Sequence, residues 1–499
     1  IMQIDGATGE EETFRSVMKR SIRCATALSK LGLKQHDVIV LMGPNHLDIT
    51  IPMYAALFLG ISVVGFDINY RVSELRHILK FVVPKIVFCE NSCVKNITEA
   101  LQILNLSTDI ITFGKNEEHL CFAELIDKHS DDSPIESYKP ADFDPTSTNA
   151  LLVLTSGSTG MPKLAALTHE NIFIGFPYLV CSRLKFPTPF EVGLVLSPIH
   201  WTGSMFQNIL SPIMKYTRLQ SSAPLTVTHV SMFFKKYKPH YTMMSPPFII
   251  SLLKSDIQFD MSSLQCCLIL GSAVSKKLLE EVKKAAPHCD VKIAYGMSEI
   301  AGLFNGDMFS PLGSIGLPLN HLQWKIVDPE TNETISEPNM SGELLLKGPS
   351  ITKGYYNDPV MNAATLDEDG WFKTGDLVYR DHNYNFYFMD RLKLLLKYNN
   401  HPVYPIEIEE VILEHPGVLN VAVTGIPDPI CGDLPVAVVV PRDNVVITAQ
   451  EIKDLVKNTL SDVKQLRGGV LFVSDLPMTS TAKIDRIKLK NLAMTSNCD

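Results

Sequence analysis

Amphipathic helical windows alternate with short apolar runs rich in β-branched side chains along the first part of the chain. The spacing of apolar positions predicts helices over Phe14–Leu31, Leu47–Leu59 and Val72–Phe81. The apolar runs predict strands over Asp37–Met42, Ile61–Phe66 and Lys85–Cys89. This alternation is typical of a parallel sheet with helices on its faces, so we expect an α/β fold.

The pattern changes twice farther along the chain. Between Asp127 and Asn149 the sequence is polar and rich in Ser, Asp and Pro, which predicts a surface connector. A strand predicted over Ala150–Leu154 follows, and α/β alternation continues to about Pro349. In the C-terminal part we expect a separate small α+β module with the elements Val418–Thr424, Pro435–Val440, Ala449–Thr459 and Gly469–Val473.

Composition narrows the functional classes. The 499 residues are 45% hydrophobic and 20% charged, which is the balance of a folded globular protein, and their net charge is −9. The sequence has no block of Lys and Arg, which argues against nucleic acid as a partner. Its ten Cys are scattered without a CxxC pair, so we expect reduced thiols in an intracellular protein rather than a zinc or redox site.

One uncharged stretch, Ile49–Phe66, approaches the length of a membrane span. Pro52, Gly60 and Gly65 interrupt it, and Gly60 is expected to end a helix that leads into a buried strand. We therefore expect no transmembrane segment. The chain begins at Ile1 rather than Met, inside an apparently continuous domain, so we also expect that residues precede it.

The strand predicted over Ala150–Leu154 leads into a segment rich in hydroxyls and glycines. Its residues are Thr155, Ser156, Gly157, Ser158, Thr159, Gly160, Met161, Pro162 and Lys163. Glycines let backbone N–H groups approach a phosphate, hydroxyls add donors and lysine adds charge. The spacing is not that of a Walker A loop, and such a segment alone is equally compatible with a surface turn. The attached Pro-Lys pair and the following Leu167–Asn171 favour phosphate binding.

Further motifs follow in a fixed order. They are Tyr295–Glu299, Gly342–Leu344, Gly370–Asp376, Asp390–Lys393 and Pro477–Ile484. The ordered set resembles the adenylate-forming superfamily of acyl-CoA synthetases, peptide-synthetase adenylation domains and luciferases, and the resemblance covers nearly the whole chain. Leu434–Val440 and Leu466–Val470 are most similar to the branch of insect luciferases, 4-coumarate-CoA ligases and insect fatty acyl-CoA ligases.

The resemblance implies a large N-terminal adenylation domain of stacked α/β sheets with helices over residues 1–391. A small mobile α+β domain would cover residues 392–499, with its hinge near Lys393. Rotation at such a hinge presents a different face of the small domain for the second half-reaction, and Lys397 would lie on that face. Lys483, which alone reads as a solvated surface lysine, would bridge carboxylate and α-phosphate in the first half-reaction.

The implied chemistry uses ATP and Mg²⁺. A carboxylate attacks the α-phosphate of MgATP to give an acyl-adenylate and pyrophosphate, and CoA in a ligase or O₂ in a luciferase then consumes the adenylate. The resemblance assigns the β- and γ-phosphates to the segment Thr155–Lys163, Mg²⁺ to Glu299 and Thr155, and ribose to Asp376 with Arg391. Read alone, Asp376 is also compatible with a turn-forming role. The remaining nucleotide-binding candidates are Gly271, Ser272, Ala273, Tyr295, Gly296, Met297 and Ser298.

The segment Ser197–Gly203 resembles the part of the family that lines the acyl pocket. His200, Trp201 and Thr202 are its candidates, although a hydrogen-bonded structural role suits His200 better than that of a base. Further candidates by position, for which core packing is a serious alternative, are Ser245, Pro246, Ile300 and Ala301. The apolar surroundings suit a fatty or aromatic acid.

Four positions depart from the family pattern. Leu164 stands where Gly usually follows Pro-Lys, and Leu270 replaces the first residue of a Gly pair. Ala482 replaces the Gly before the C-terminal lysine, and Asn400 replaces a Gly near the hinge. None of these changes removes a reacting group, and they affect the expectation of CoA transfer more than that of adenylation.

We therefore expect an enzyme that adenylates a carboxylic acid and transfers it to CoA. The alternative is a luciferase that uses the same first half-reaction and then O₂, and a non-catalytic binding module is a third, weaker possibility. Because no carrier domain follows, a peptide-synthetase module is disfavoured. The C-terminal residues are not the peroxisomal Ser-Lys-Leu signal, so a cytoplasmic location is expected.

Overall fold

The structure, a computed structural model, describes residues 1–130, 134–155, 163–175, 190–255, 257, 260–272, 274–302, 304–305, 310–399, 401–443, 445–479, 483–496 and 498. Over these residues it is a mixed α/β protein with three sheets in a larger N-terminal part and a fourth in a smaller C-terminal part. This confirms the predicted fold class. The predicted boundary after residue 391 falls between the third and fourth sheets and stays a prediction.

The strands are numbered in chain order. They are β1 (Gln3–Asp5), β2 (Glu11–Glu12), β3 (Val38–Met42), β4 (Ser62–Gly65), β5 (Ile86–Cys89), β6 (Asp109–Thr112), β7 (Asn149–Thr155), β8 (Lys163–Thr168), β9 (Val192–Leu194), β10 (Thr217–Gln220), β11 (Tyr241–Met244), β12 (Cys266–Ile269), β13 (Asp290–Tyr295), β14 (Phe304–Asn305), β15 (Gln323–Val327), β16 (Gly342–Lys347), β17 (Phe372–Arg380), β18 (Phe386–Arg391), β19 (Leu396–Tyr398), β20 (His401–Val403), β21 (Val418–Asp428), β22 (Gly432–Pro441) and β23 (Gly469–Phe472).

The α-helices described over their full length are numbered in the same way. They are α1 (Phe14–Lys30), α2 (Ile51–Leu59), α3 (Val72–Val82), α4 (Val94–Leu104), α5 (Phe122–His129), α6 (Thr202–Met214), α7 (Val227–Tyr237), α8 (Pro246–Lys254), α9 (Lys276–Ala285), α10 (Pro359–Thr365), α11 (Pro405–Leu413), α12 (Ala449–Thr459) and α13 (Arg486–Thr495).

The six-stranded sheet has the order β6-β5-β3-β4-β7-β8, and only the pair β7–β8 within it is antiparallel. Every residue of β3 is buried, as expected for a strand with both faces covered. Helix α2 ends at Gly60 with a left-handed φ of 67°, as predicted, and the chain then enters β4. The antiparallel pair β7–β8 brings both ends of the predicted phosphate segment together.

The eight-stranded sheet has the order β14-β13-β12-β11-β9-β10-β1-β2. It contacts the six-stranded sheet where Gly65, the last residue of β4, faces the backbone of His200 beyond β9. A Cβ atom added at Gly65 would lie 2.5 Å from the His200 Cα atom. The glycine is therefore required by the close approach of two backbones.

The two remaining sheets follow each other along the chain. The antiparallel sheet β15-β16-β17-β18 ends at Arg391, and the C-terminal sheet β20-β19-β22-β21, with β23 paired to β22, begins at Leu396. Helices α11, α12 and α13 pack on that last sheet, each burying apolar residues against it. These elements form the α+β arrangement expected for the C-terminal part.

The predicted and observed elements agree in type, but several boundaries were wrong. Helix α2 begins at Ile51 rather than at Leu47, because the preceding residues form turns in which the Ile49 N–H bonds the His46 carbonyl. Helix α5 continues to His129 and so includes the first three residues of the predicted connector. In the C-terminal part, β21 and β22 extend past their predicted ends because they pair as one long hairpin from Val418 to Pro441.

Two expectations about the whole chain concern membrane-spanning helices and the state of the cysteines. No helix among the described residues is long and apolar enough to cross a membrane. Nine cysteines of the described segments are free thiols, and seven of those nine are buried. Burial raises the pKa of the Cys266 thiol to about 12, which keeps it protonated and unreactive.

A buried carboxylate lies where the third sheet passes into the C-terminal part. Asp390, only 1% exposed, accepts the Arg391 N–H at 2.7 Å and the Ile406 N–H of α11 at 3.4 Å. Burial raises the pKa of Asp390 from 3.8 to about 6, and Glu409 adds to the rise, whereas the N–H donors and Arg486 oppose it. Arg486 also binds Glu409 at 2.8 Å. These contacts of Asp390 and Glu409 connect α11 to the end of β18.

Replacing Gly65 with Ala should destabilise the protein, because the new methyl group meets the immovable His200 backbone. We expect a loss of about 1–3 kcal/mol in the free energy of unfolding, measured by urea denaturation. Gly114→Ala is the matched control, since its Cβ would meet only the flexible Asn91 side chain at 3.1 Å. Equal stability of the two variants would contradict the close approach.

Asp390→Asn should stabilise the protein more at pH 8 than at pH 4.5. A carboxyl whose pKa rises from 3.8 to about 6 on folding weakens the native state as pH increases between these two values. The advantage of the variant should therefore grow by about 2 kcal/mol from pH 4.5 to pH 8 in urea denaturation. Asp454→Asn, at an exposed position on α12, serves as the control. An advantage independent of pH would contradict the prediction.

Candidate active site

The predicted phosphate segment begins and ends on paired strands. Thr155, the last residue of β7, is the register partner of Lys163, the first residue of β8. The predicted residues Ser156, Gly157, Ser158, Thr159 and Gly160 lie outside the described part of the chain. Leu164, which departs from the family pattern, is 4% exposed and packs into the apolar core under the sheet. The larger side chain is therefore accommodated by burial.

Lys163 lies among groups of both charges. Its Nζ atom is 5.4 Å from the centroid of the Tyr355 ring, within the range of a cation–π contact. Loss of hydration lowers the pKa of Lys163, and the nearby charge of Lys393 lowers it further, while Asp358 and Glu299 oppose the change. The predicted hinge residue Lys393 is therefore close enough to act on Lys163.

Glu299 supplies a buried carboxylate at the same site. Its side chain is 6% exposed and accepts a 2.7 Å hydrogen bond from the Tyr355 hydroxyl. The Glu299 backbone carbonyl accepts the Thr352 N–H at 2.8 Å. Mg²⁺ in nucleotide sites takes one or two carboxylates and completes its shell with phosphates and water, so a single carboxylate here fits that ion.

Asp376 is the most deeply buried acid of the site, at 1% exposure. Its Oδ2 atom accepts the Tyr295 hydroxyl at 2.6 Å, and its Oδ1 atom lies 2.7 Å from Arg391 Nε. Burial raises the pKa of Asp376, whereas Arg391, Tyr295 and Lys483 counteract it. A carboxylate with one directed hydrogen bond and one ion pair keeps acceptor capacity for hydroxyl groups of a ligand.

A local network sets the position of Asp376. Gly375, with a left-handed φ of 68°, donates its N–H to the Glu343 carboxylate at 3.1 Å. Thr374 donates its hydroxyl to the Leu344 carbonyl and accepts the Asp376 N–H at 3.1 Å. The turn predicted around Asp376 was wrong: Asp376 lies within β17, and β16, the neighbouring strand, holds it there.

Lys483 approaches this cluster from the C-terminal part of the chain. Loss of hydration lowers its pKa, and so does the charge of Arg391, whereas Glu299 and Asp376 raise it. The backbone of Lys483 bonds Thr479 in both directions, at 2.7 Å and 3.2 Å. The lysine nevertheless retains solvent-exposed surface. The structure therefore brings Lys483 to the acids of the site and leaves it accessible.

Lys397 lies elsewhere. Its Nζ atom is 3.4 Å from Glu330, and both side chains are largely exposed, at 63% and 82%. The two lysines predicted for separate half-reactions are thus placed differently in this one arrangement. Asn400 and Ala482, two of the departures from the family pattern, lie outside the described residues.

The remaining nucleotide-binding candidates follow the ends of two neighbouring strands. Gly271 and Ser272 come after β12 and are exposed, and Gly271 has a left-handed φ of 101°; Ala273 lies outside the described residues. Gly296, Met297 and Ser298 come directly after Tyr295, the last residue of β13. The carboxyl ends of parallel strands are where open α/β sheets bind ligands.

The acyl-pocket candidates divide into two groups. Thr202 begins α6 and lies 3.2 Å from the Ser298 hydroxyl, while Trp201 precedes it and Ser245 precedes α8. The His200 side chain is 8% exposed, and its Nε2 atom lies 3.7 Å from the Oδ2 atom of buried Asp67. Ile300 and Ala301 are 3% and 0% exposed within the main apolar core, as is expected if they serve packing. Their role in a pocket stays a prediction.

Tyr355 contacts two predicted site residues but carried no prediction from the sequence. Its hydroxyl partner Glu299 is 56 residues earlier in the chain, so spacing could not reveal the contact. The available signal was a pair of tyrosines after Gly354, between two recognised motifs. Glu343 belongs to one of those motifs, yet its bond to Gly375 was not foreseen either.

Comparisons with known proteins agree with this geometry. The model of the AMP-binding enzyme family matches residues 2–356, and that of the AMP-binding enzyme C-terminal domain matches residues 407–483. The chain is 33% identical to luciferin 4-monooxygenase of Photuris pensylvanica over 97% of its own length and 90% of that protein. It is 29% identical to the 4-coumarate–CoA ligase-like protein 9 of Arabidopsis thaliana over 99% and 87% of the two chains.

The solved structure of ATP-bound MatB from Rhodopseudomonas palustris has the same fold, with a TM-score of 0.89 at 22% identity, over 99% of this chain and 96% of that one. No helix or sheet among the described residues contradicts the assignment to this fold. Family models, relatives and fold thus agree with the predicted resemblance. The chain belongs to the adenylate-forming family of AMP-binding enzymes, in the branch that contains insect luciferases and 4-coumarate-CoA ligases.

Proposed function

We propose that the chain activates a carboxylic acid with MgATP and transfers the acyl group to CoA. One observation carries this proposal: Glu299 lies close enough to act electrostatically on Lys163, Arg391 and Lys483, and Asp376 pairs with Arg391, although these residues come from distant parts of the chain. Two acids and three cations close together suit a reaction between a carboxylate and a metal-bound triphosphate. Such chemistry depends mainly on positioning and on the stabilisation of charge.

Each charged group has a distinct part in the proposed first half-reaction. Glu299, with Thr155 as a further candidate, would hold Mg²⁺, whose chemistry is to neutralise charge on the phosphates. Lys163 would bind the phosphate oxygens from the end of β8. Lys483 would stabilise the negative charge that builds where the carboxylate meets the α-phosphate.

Asp376 and Arg391 suit the ribose. A buried carboxylate that already bonds Tyr295 presents a fixed acceptor for two adjacent hydroxyls, since rotation of the carboxylate would break that bond. Arg391 is half-exposed, so its guanidinium can also reach a ligand. Tyr295, Gly271 and the residues after them would then border the base.

The apolar residues beyond Ser298 support a fatty or aromatic acid as substrate. Trp201 and Thr202 stand at the start of α6, with Thr202 next to Ser298, and Ile300 follows Glu299 into the apolar core. An acid lying against these residues would bring its carboxylate towards the charged residues of the site. The predicted cytoplasmic location belongs to the proposal as well.

A second candidate function is that of a luciferase, which would oxidise the adenylate with O₂. It is favoured by the 33% identity to luciferin 4-monooxygenase of Photuris pensylvanica over nearly the whole chain. The same charged residues would serve both functions, because these share the adenylation step. They differ in the reactant that consumes the adenylate.

Lys483→Ala should abolish adenylation, whereas Lys397→Ala should spare it. Removal of one charged donor from the transition state costs about 3 kcal/mol, which is about a hundredfold in rate. Acid-dependent exchange between ATP and labelled pyrophosphate measures this step alone. Lys397, paired with exposed Glu330, is the matched control for the loss of a lysine. Near wild-type exchange in Lys483→Ala would contradict its role.

The two candidate functions predict different products from one mixture. Protein, MgATP and a panel of fatty and aromatic acids, including a luciferin, are read first in a luminometer and then, after CoA is added, by mass spectrometry. We expect thioester and AMP in amounts that follow CoA, without light. Sustained light with no thioester would favour the luciferase, and neither product with any acid would contradict both functions.

A further inference from the structure

Tyr355 lies between the proposed metal carboxylate and the proposed phosphate lysine. Its hydroxyl donates to Glu299 at 2.7 Å, and its ring centroid lies 5.4 Å from Lys163 Nζ. The side chain is buried, with 7% exposed. The geometry points to Tyr355 as a positioning residue that orients Glu299 for the metal and keeps Lys163 from pairing with it. This inference rests on the proposed function and names the residue that organises its charges.

The hydroxyl of Tyr355 restricts the Glu299 carboxylate. A bond to one carboxylate oxygen fixes the rotation of the group and leaves the other oxygen to meet a metal ion. Because both residues are buried, water cannot replace this bond without entering the core. An unpaired buried carboxylate oxygen is costly, so the bond also stabilises the folded protein.

The ring of Tyr355 acts on Lys163. A lysine and a glutamate that share a cleft tend to form a direct ion pair, which would occupy both charges before a ligand arrives. Among the described residues no ion pair joins Lys163 to Glu299, although the charge of Glu299 acts on Lys163. The aromatic face offers the ammonium group a weaker partner that a phosphate can displace. Both charges thus remain available to the nucleotide.

The backbone of Tyr355 is anchored to the elements that carry both partners. Tyr355 forms a bridge with Ala165, two residues after Lys163 in β8. On the other side, the Thr352 N–H donates to the Glu299 carbonyl, and the Asn362 side chain holds the Tyr355 backbone N–H and carbonyl. These contacts fix the ring relative to Lys163 and Glu299 together.

Two substitutions separate the roles of hydroxyl and ring. Tyr355→Phe removes the bond to Glu299 and keeps the ring, whereas Tyr355→Leu removes both. Tyr356→Phe is the matched control, because the neighbouring tyrosine donates its backbone N–H to the Leu164 carbonyl, a bond that the substitution leaves intact. Circular dichroism and the urea midpoint establish that each variant is folded.

The measurement is equilibrium binding in the absence of any carboxylic acid, so that no turnover occurs. The paramagnetic resonance signal of free Mn²⁺ in the presence of ATP reports metal binding, and a fluorescent ATP analogue with EDTA reports metal-free nucleotide binding. We expect Tyr355→Phe to weaken Mn²⁺–ATP binding about tenfold and to leave metal-free binding unchanged. Tyr355→Leu should also weaken metal-free binding about threefold.

Glu299→Ala completes the test. Once the carboxylate is absent, adding Tyr355→Phe should cause no further loss of Mn²⁺ binding, whereas a general structural effect of the substitution would persist. Wild-type Mn²⁺–ATP affinity in Tyr355→Phe, or additive losses in the double variant, would overturn the inference while leaving the proposed function intact. Failure of the wild-type protein itself to bind Mn²⁺–ATP would contradict the proposed function instead.

Discussion

The ion pair between Asp376 and Arg391 holds the site together. Asp376 lies on β17 and Arg391 ends β18, while Tyr295, which bonds the same carboxylate, ends β13 of the eight-stranded sheet. One buried charge therefore joins the third sheet to the second at the point where both meet the C-terminal part. Its burial is unfavourable, and the arginine, the phenol and Lys483 offset that penalty. Asp376 is stabilised only when the two sheets are positioned so that both Arg391 and Tyr295 reach it.

Around this pair the site keeps opposite charges close without joining them in further direct ion pairs. Glu299 bonds a tyrosine and Lys163 lies over an aromatic ring, while Lys483 stays exposed to solvent. Each arrangement costs less than full desolvation of a charge and is weaker than a direct ion pair. Such a site suits a ligand whose anionic oxygens bind a metal cation. This agreement between site and ligand is what supports the proposed reaction.

Much of this could be predicted from the sequence, because local signals determine it. Periodicity predicted α12 at its observed ends, and Gly60 was recognised as the end of α2. The start of α2 was missed because turn hydrogen bonds around His46 compete with a helical pattern. Motifs pointed to Asp376, Glu299 and Lys483, and their assigned roles stay predictions. Tyr355 and Glu343 were missed because their partners are distant in the sequence: Glu299 lies in a turn after β13, and Gly375 lies on β17. Such contacts depend on how the sheets pack and pair rather than on spacing.

Asp390 links the end of β18 to α11, so its ionisation would respond to any movement of the C-terminal part. In the present arrangement burial holds the pKa of this carboxyl at about 6, and the carboxyl accepts the N–H of Ile406. If the C-terminal part turned away and water reached Asp390, the pKa would fall towards its ordinary value and a fraction of the molecules would release a proton. Rotation of the small domain would then be accompanied by proton exchange with the solvent. Near pH 6 the resting balance between two such arrangements would depend on the acidity of the surrounding solution.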